Sequence, residues 1–166
     1  DKVLNCASFK KLCDDKNLIY HLLKDYMLKT YEIKNKKDLT CALELFSPNA
    51  LAVLKPSDGL GGKGIKIDTA THIKKSFLEK DKEYVLQEFV DTSRGINGIT
   101  NDRHDLRVVI VGGKIIFSHL RTPKKGSYLS NVAQGGSIRE IPLETIPSIV
   151  IETVKKIQSI IDLRFN

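Results

Sequence analysis

Apolar residues recur along the chain at two spacings, and the switches between them mark out its elements. Leu18, Ile19, Leu22 and Leu23 repeat at helical intervals behind Asp14-Asp15-Lys16-Asn17, which offers N-cap side chains. The pattern shortens to a strand at 30–33, returns to a helix at 37–46 closed by Ser47-Pro48-Asn49, and gives a compact apolar strand at 51–54. Lys55-Pro56 should stop that strand, because proline cannot continue a hydrogen-bonded ladder. Alternation resumes at Gly64-Ile65-Lys66-Ile67. Asp68 or Thr69 then caps a helix running to about Lys80, and Tyr84 to Val90 is the next strand.

Residues 91–104 are rich in Gly, Asn, Asp and Ser and read as a loop. Two β-branched runs, 106–111 and 114–120, flank Gly112-Gly113 and predict a hairpin. A polar loop at 121–137 leads to a short strand at 138–141 and a helix at 144–163. Helices thus alternate with antiparallel strands, an α+β arrangement in two lobes. The chain has no internal repeat and no low-complexity segment.

Between two of these strands stands Gly59-Leu60-Gly61-Gly62-Lys63-Gly64. It fits G-x-G-x-x-G to the letter, but a dinucleotide fingerprint must open a helix, and here a strand follows. A P-loop needs Ser or Thr after its lysine, where this chain has Gly64. What remains is a glycine hairpin between antiparallel strands. Four glycines in six residues exceed what a plain turn needs, whereas such a loop can fold over phosphates and offer them backbone N–H groups. Lys55 before the loop and Lys63 within it suit a polyanion. In protein kinases the lysine follows the glycine loop instead.

Composition adds bounds. The chain has 166 residues, 41% hydrophobic and 28% charged, which suits one soluble domain of ordinary size. A net charge of +7 raises the question of nucleic acid. The lysines are spread in pairs along the chain, however, and aromatics make up only 7%, so a solubilising surface is the better reading. No apolar run approaches the ~18 residues of a membrane helix, and the first residues lack a signal-peptide core. Cys6, Cys13 and Cys41 are odd in number and outside metal spacing, which points to a reduced cytoplasmic compartment. Four scattered histidines, with no pair at i, i+4, argue against a zinc site.

Taken in order, Val53-Leu54-Lys55-Pro56, the glycine loop, Val85-Leu86-Gln87-Glu88-Phe89-Val90 and Asp105-Leu106-Arg107 resemble the ATP-grasp enzymes. The stretch from Arg121 through Asn131 to Gly135-Gly136 is similar to that of glutathione synthetase and the glutamate-adding ligases that modify ribosomal protein. The resemblance implies two α+β lobes whose antiparallel sheets clasp a nucleotide. It divides the chain into a helical lead-in at 1–30, a first lobe at 31–91 and a second at 92–166.

It also implies roles. Lys16 and Lys55 would be the nucleotide lysines, and Gly61, Gly62, Lys63 and Gly64 the flap over the phosphates. Gln87 or Glu88 would face the nucleotide, and the backbone from Glu88 through Phe89 to Val90 would read the adenine edge. Asp105 would contact ribose. Arg107 and Arg121 would stabilise the transferring phosphoryl group and the acyl phosphate, with Asn131 and the Gly135-Gly136 amides completing an anion cradle. ATP and Mg2+ are the implied cofactors, with the main metal ligands expected beyond Asn166, so no metal ligand is assigned within the chain. The implied partners are a carboxylate and an amine, with neither nucleic acid nor membrane. A non-catalytic nucleotide-binding module and an ATP-grasp small-molecule kinase are the alternatives.

Overall fold

The computed structural model describes residues 6–165. Two short helices, α1 (Ala7–Asp14) and α2 (Lys16–Leu23), precede β1 (Thr30–Ile33), α3 (Lys36–Leu43), β2 (Leu51–Pro56), β3 (Lys66–Thr69), α4 (Ala70–Ile73) and β4 (Tyr84–Glu88). The hairpin of β5 (Asp105–Val111) and β6 (Lys114–Thr122), then β7 (Ser137–Glu140) and α5 (Ser148–Phe165), complete the order. The chain separates into two compact units. The first ends at Phe89 and takes back the end of α5 from Asp162, and the second spans Val90–Ile161.

The first unit holds an antiparallel sheet in the order β1-β4-β2-β3. Strand alternation sorts its side chains. Ile33, Ala52, Leu54, Tyr84 and Leu86 point to one face and pack with Leu39, Ala42 and Leu43 of α3 and with Ala70 and Ile73 of α4. Ile33, Leu39 and Leu86 are fully shielded from water. Thr30, Val53, Lys55, Val85 and Gln87 share the opposite face.

The second unit is a three-stranded sheet, β5-β6-β7. Gly112 and Gly113, at φ 55° and 77°, form the two-residue turn whose twist matches the flanking strands. Leu106, Val108 and Leu120 pack with Ile99, Ile141, Ile146, Val150 and Ile151 on one face. Ser118, also buried there, donates to the Ile141 carbonyl at 2.6 Å. The 91–104 loop is held at its base by Thr92 Oγ1 and the His104 carbonyl at 2.9 Å, and at its tip by Arg139 Nη2 donating to the Ile99 carbonyl at 2.8 Å.

Several element boundaries depart from the sequence pattern: α3 ends at Leu43 rather than 46 and β4 at Glu88 rather than Val90, and three further departures have a local cause. β2 does not stop before Lys55-Pro56 but carries both. Ser57 N–H turns toward β4, donating to the Glu83 carbonyl, so the position lacking a hydrogen, Pro56, faces the side where β3 has already ended. α4 ends at Ile73 rather than near Lys80. The Lys36 ammonium takes the Lys74 and Ser76 carbonyls at 2.5 and 2.8 Å, acceptors that a longer helix would need for its own ladder. α5 begins at Ser148, not Glu144, because Pro147 has no N–H to give and leaves Ile146 extended. α1 has no counterpart in the apolar spacing, but lies within the helical lead-in implied at 1–30.

Candidate functional site

Each unit carries its own set of polar groups. In the first, Lys55 stands on β2 and Gln87 on the neighbouring β4, both on the face turned away from the apolar core. Thr30 Oγ1 donates to the Leu28 carbonyl at 2.9 Å and therefore receives from Gln87 Nε2 at 2.6 Å. That contact fixes the amide's orientation, so Gln87 Oε1 accepts from Lys55 Nζ at 2.7 Å. Glu88 lies on the other face, exposed, so Gln87 is the one of the two that shares a face with Lys55. The Phe89 N–H is taken by the Leu51 carbonyl at 3.1 Å and is not open to an adenine edge. Val90 is exposed.

Lys16 opens α2, where Asp15 is the N-cap and accepts from the Asn17 and Leu18 amides. Asp15 also accepts from Ser57 Oγ at 2.7 Å, and Lys16 Nζ donates to the Ser57 and Gly59 carbonyls at 3.0 and 2.7 Å. The start of the helix is thereby stapled to the root of the glycine loop. Burial would raise the Asp15 carboxyl, but the Ser57 and backbone hydrogen bonds hold it below its usual range.

Both lysines lose basicity. Burial depresses Lys55, and the charge of Lys16 adds to the effect; burial also depresses Lys16, only partly offset by Asp58 and Asp15. Among the described residues neither ammonium has a carboxylate within ion-pair distance. Both ammonium groups are thus held by uncharged oxygens, those of Gln87, Ser57 and Gly59.

The loop beyond them takes left-handed backbone at Gly61, Gly62 and Gly64, with φ of 65°, 80° and 72°. A Cβ at Gly64 would stand 2.9 Å from Pro56 Cγ, whereas one at Gly61 would meet nothing within 4 Å. Lys63 is exposed.

In the second unit Asp105 lies opposite Arg121, and Arg107 opposite His119, so all four side chains share one face. Asp105 Oδ1 accepts from Arg107 Nε at 3.1 Å, and Oδ2 accepts from Arg121 Nη2. Burial would raise the Asp105 carboxyl; the Arg121 hydrogen bond and both guanidinium charges outweigh it and hold the carboxyl low. A ribose would have to compete with two guanidiniums for this carboxylate. Arg121 is 12% exposed, and its Nε is shielded from solvent with no hydrogen-bond partner.

The glycine-pair cradle expected after Asn131 does not form. The Gly135 N–H donates to the Val132 carbonyl at 2.9 Å and the Gly136 N–H to the Asn131 carbonyl at 3.1 Å, so both amides are consumed in closing a turn. Gly136 serves close approach instead, since a Cβ there would stand 2.5 Å from the Ser130 carbonyl oxygen. The Asn131 side-chain amide makes no hydrogen bond among the described residues.

Comparison with known proteins gives this arrangement a frame. Residues 16–160 match the family model for the ATP-grasp domain of prokaryotic glutathione synthetase. The chain belongs to that family. Probable alpha-L-glutamate ligases from Maridesulfovibrio salexigens and Cellvibrio japonicus are each 32% identical, over 93 and 91 residues. Those segments cover 54% and 52% of this chain and 28% of each relative. The fold is also that of solved ATP-grasp proteins. The ligase PsnB, complexed with minimal precursor, superposes with a TM-score of 0.57 at 14% identity, over 95% of this chain and 47% of that one. D-alanine–D-alanine ligase from Helicobacter pylori gives 0.51 at 20%, over 93% and 47%. The chain therefore spans about half the length of these solved structures.

Two side chains of this ATP-grasp domain escaped the sequence reading. Thr30 needs the β1–β4 register to bring it to Gln87 across 57 residues, which local pattern cannot supply. His119 could have been found, because it lies two residues before Arg121 on the same strand and alternation places them on one face. Among the described residues no three Asp, Glu, His or Cys side chains converge on a point. No helix among them is long and apolar enough to cross a membrane.

Proposed function

We propose that the chain is the nucleotide-binding core of an ATP-dependent carboxylate–amine ligase that works through an acyl phosphate. The observation that carries this reading is the pair Lys16 and Lys55, two partly buried ammonium groups without ion pairs beside a glycine loop, in a member of this family. In the reaction, a substrate carboxylate oxygen attacks the γ-phosphorus of ATP, the bond to ADP breaks, and an acyl phosphate forms. An amine then attacks the acyl carbon, phosphate leaves with the C–O bond electrons, and the amine's proton passes to solvent.

Lys55, aimed by Gln87 and Thr30, and Lys16 hold phosphate oxygens as point charges. Gly61, Gly62, Lys63 and Gly64 cover them. Arg107 and Arg121, oriented by Asp105, balance the charge that spreads over the transferred group, with Asn131 as a further donor. Losing one such group from a site of this kind costs ~2.7–4 kcal/mol of barrier.

Incubating the gene product with Mg-ATP and acid–amine pairs tests the reading. With substrate labelled by 18O in its carboxylate, one label should appear in the released phosphate. Turnover that leaves phosphate unlabelled would rule out the acyl phosphate, and ADP formation from a hydroxyl acceptor would make the chain a kinase.

A further inference from the structure

The root of the glycine loop holds a residue that the reaction above leaves unused. Ser57 follows Pro56, the last residue of β2, is 5% exposed, and spends each of its polar groups. Its N–H donates to the Glu83 carbonyl at 2.8 Å, and its hydroxyl to Asp15 Oδ1 at 2.7 Å. Its carbonyl accepts twice from Lys16, from the backbone N–H at 3.1 Å and from Nζ at 3.0 Å. Asp15 Oδ1, which receives the hydroxyl, also takes the Asn17 and Leu18 amides at the start of α2. The loop then closes around Pro56, since a Cβ at Gly59 or Gly64 would stand 3.1 or 2.9 Å from that ring.

The backbone bond from Lys16 to Ser57 already joins the helix to the loop. An ammonium across the same two segments is a costly second tie, because partial burial penalises its charge and the two carbonyls it meets do not neutralise it. A neutral donor would serve the fold at lower cost. What the ammonium adds is a full positive charge and a third N–H. Two of its three donors go to the Ser57 and Gly59 carbonyls, and among the described residues the third has no partner. Lys16 keeps part of its surface in contact with solvent.

We propose that Ser57, held by Asp15, is a positioning residue for the anion: it fixes where the Lys16 ammonium stands, so that the remaining N–H meets a phosphate oxygen of ATP. This rests on the nucleotide reading above and adds to it the residue that aims Lys16. A lysine side chain left free would have to be immobilised at the moment of binding. Holding it beforehand removes that entropic cost from the affinity.

ATP titrations of the intact chain test this in four proteins: the parent, Ser57→Ala, Lys16→Met and the double variant. Ser57→Ala should weaken ATP roughly tenfold, the effect of one positioning hydrogen bond. In the Lys16→Met background, with no ammonium to aim, the same substitution should change little. A residue that only holds the fold together would lower affinity by the same factor in both backgrounds, and that result overturns the proposal. A second readout is the 13Cε signal of Lys16, assigned by its loss in Lys16→Met. It should move when ATP is added to the parent, and a signal that stays put overturns the proposal whatever the affinities. If Ser57→Ala binds ATP like the parent, this inference fails while the nucleotide reading stands. If the parent binds no ATP, both fail. Should Ser57→Ala not fold, Ser57→Cys, similar in size but with only a weak S–H donor, takes its place with the same result expected.

Discussion

Lys55 shows how a single side chain can be costly to the fold, and the proposed function gives that cost a use. Its ammonium is partly desolvated, and its one hydrogen-bond acceptor among the described residues is Gln87 Oε1. Gln87→Met would leave that charge without a partner and should destabilise the chain by ~1–3 kcal/mol. Lys55→Met/Gln87→Met removes both ends and should recover most of the loss, because two apolar side chains replace a partly desolvated polar pair. Urea unfolding of both variants checks this; a Gln87→Met protein as stable as the parent would show that the amide does not hold the lysine. Asp105 has the opposite sign. Its carboxyl is held below its unfolded value by Arg121 and Arg107, so its contribution is present above pH ~3.9 and lost as pH falls from there through the folded value. The stability gap between parent and Asp105→Asn should therefore be open at pH 7 and close on acidification. A gap independent of pH would contradict the ion-pair cause.

At the scale of elements, the turn 131–136 is where sequence and structure differ most usefully. Two adjacent glycines suggested free amides for an anion, yet both amides close the turn on Asn131 and Val132, and Gly136 is there to let the chain pass Ser130. Gly136→Ala would set a Cβ 2.5 Å from a backbone oxygen that cannot yield as a side chain could. The variant should lose ~1–3 kcal/mol, and the Gly136 amide should lose its protection in hydrogen exchange. Unchanged protection would mean that the turn tolerates the methyl group. The hairpin of β5 and β6 behaved as its pattern implied, because two glycines between β-branched runs leave few other solutions. α4 did not: Lys36, a residue outside the segment, takes carbonyls that a longer helix would use.

For the molecule as a whole, the α+β class and the ATP-grasp fold could be read from residues in order: a lysine closing a strand, a glycine hairpin, then an Asp-x-Arg strand. Alternation and helical spacing carried the α+β class, whereas the ATP-grasp fold came from the resemblance of those ordered residues to a known family. Local pattern could not choose between Gln87 and Glu88, whose faces depend on pairing with β2, nor find Thr30, whose role depends on β1 lying beside β4. Those are long-range registers, settled by core packing around Ile33, Leu54 and Leu86. The proposed function assigns cationic groups to an anion in both units, ammonium in one and guanidinium in the other. Calorimetric titration of the chain with ATP and with AMP, in the parent, Lys55→Met and Arg121→Met, tests that most directly. The parent should bind ATP more tightly than AMP, and each substitution should remove most of that preference. Equal affinities in the parent, or a preference that survives both substitutions, would contradict it.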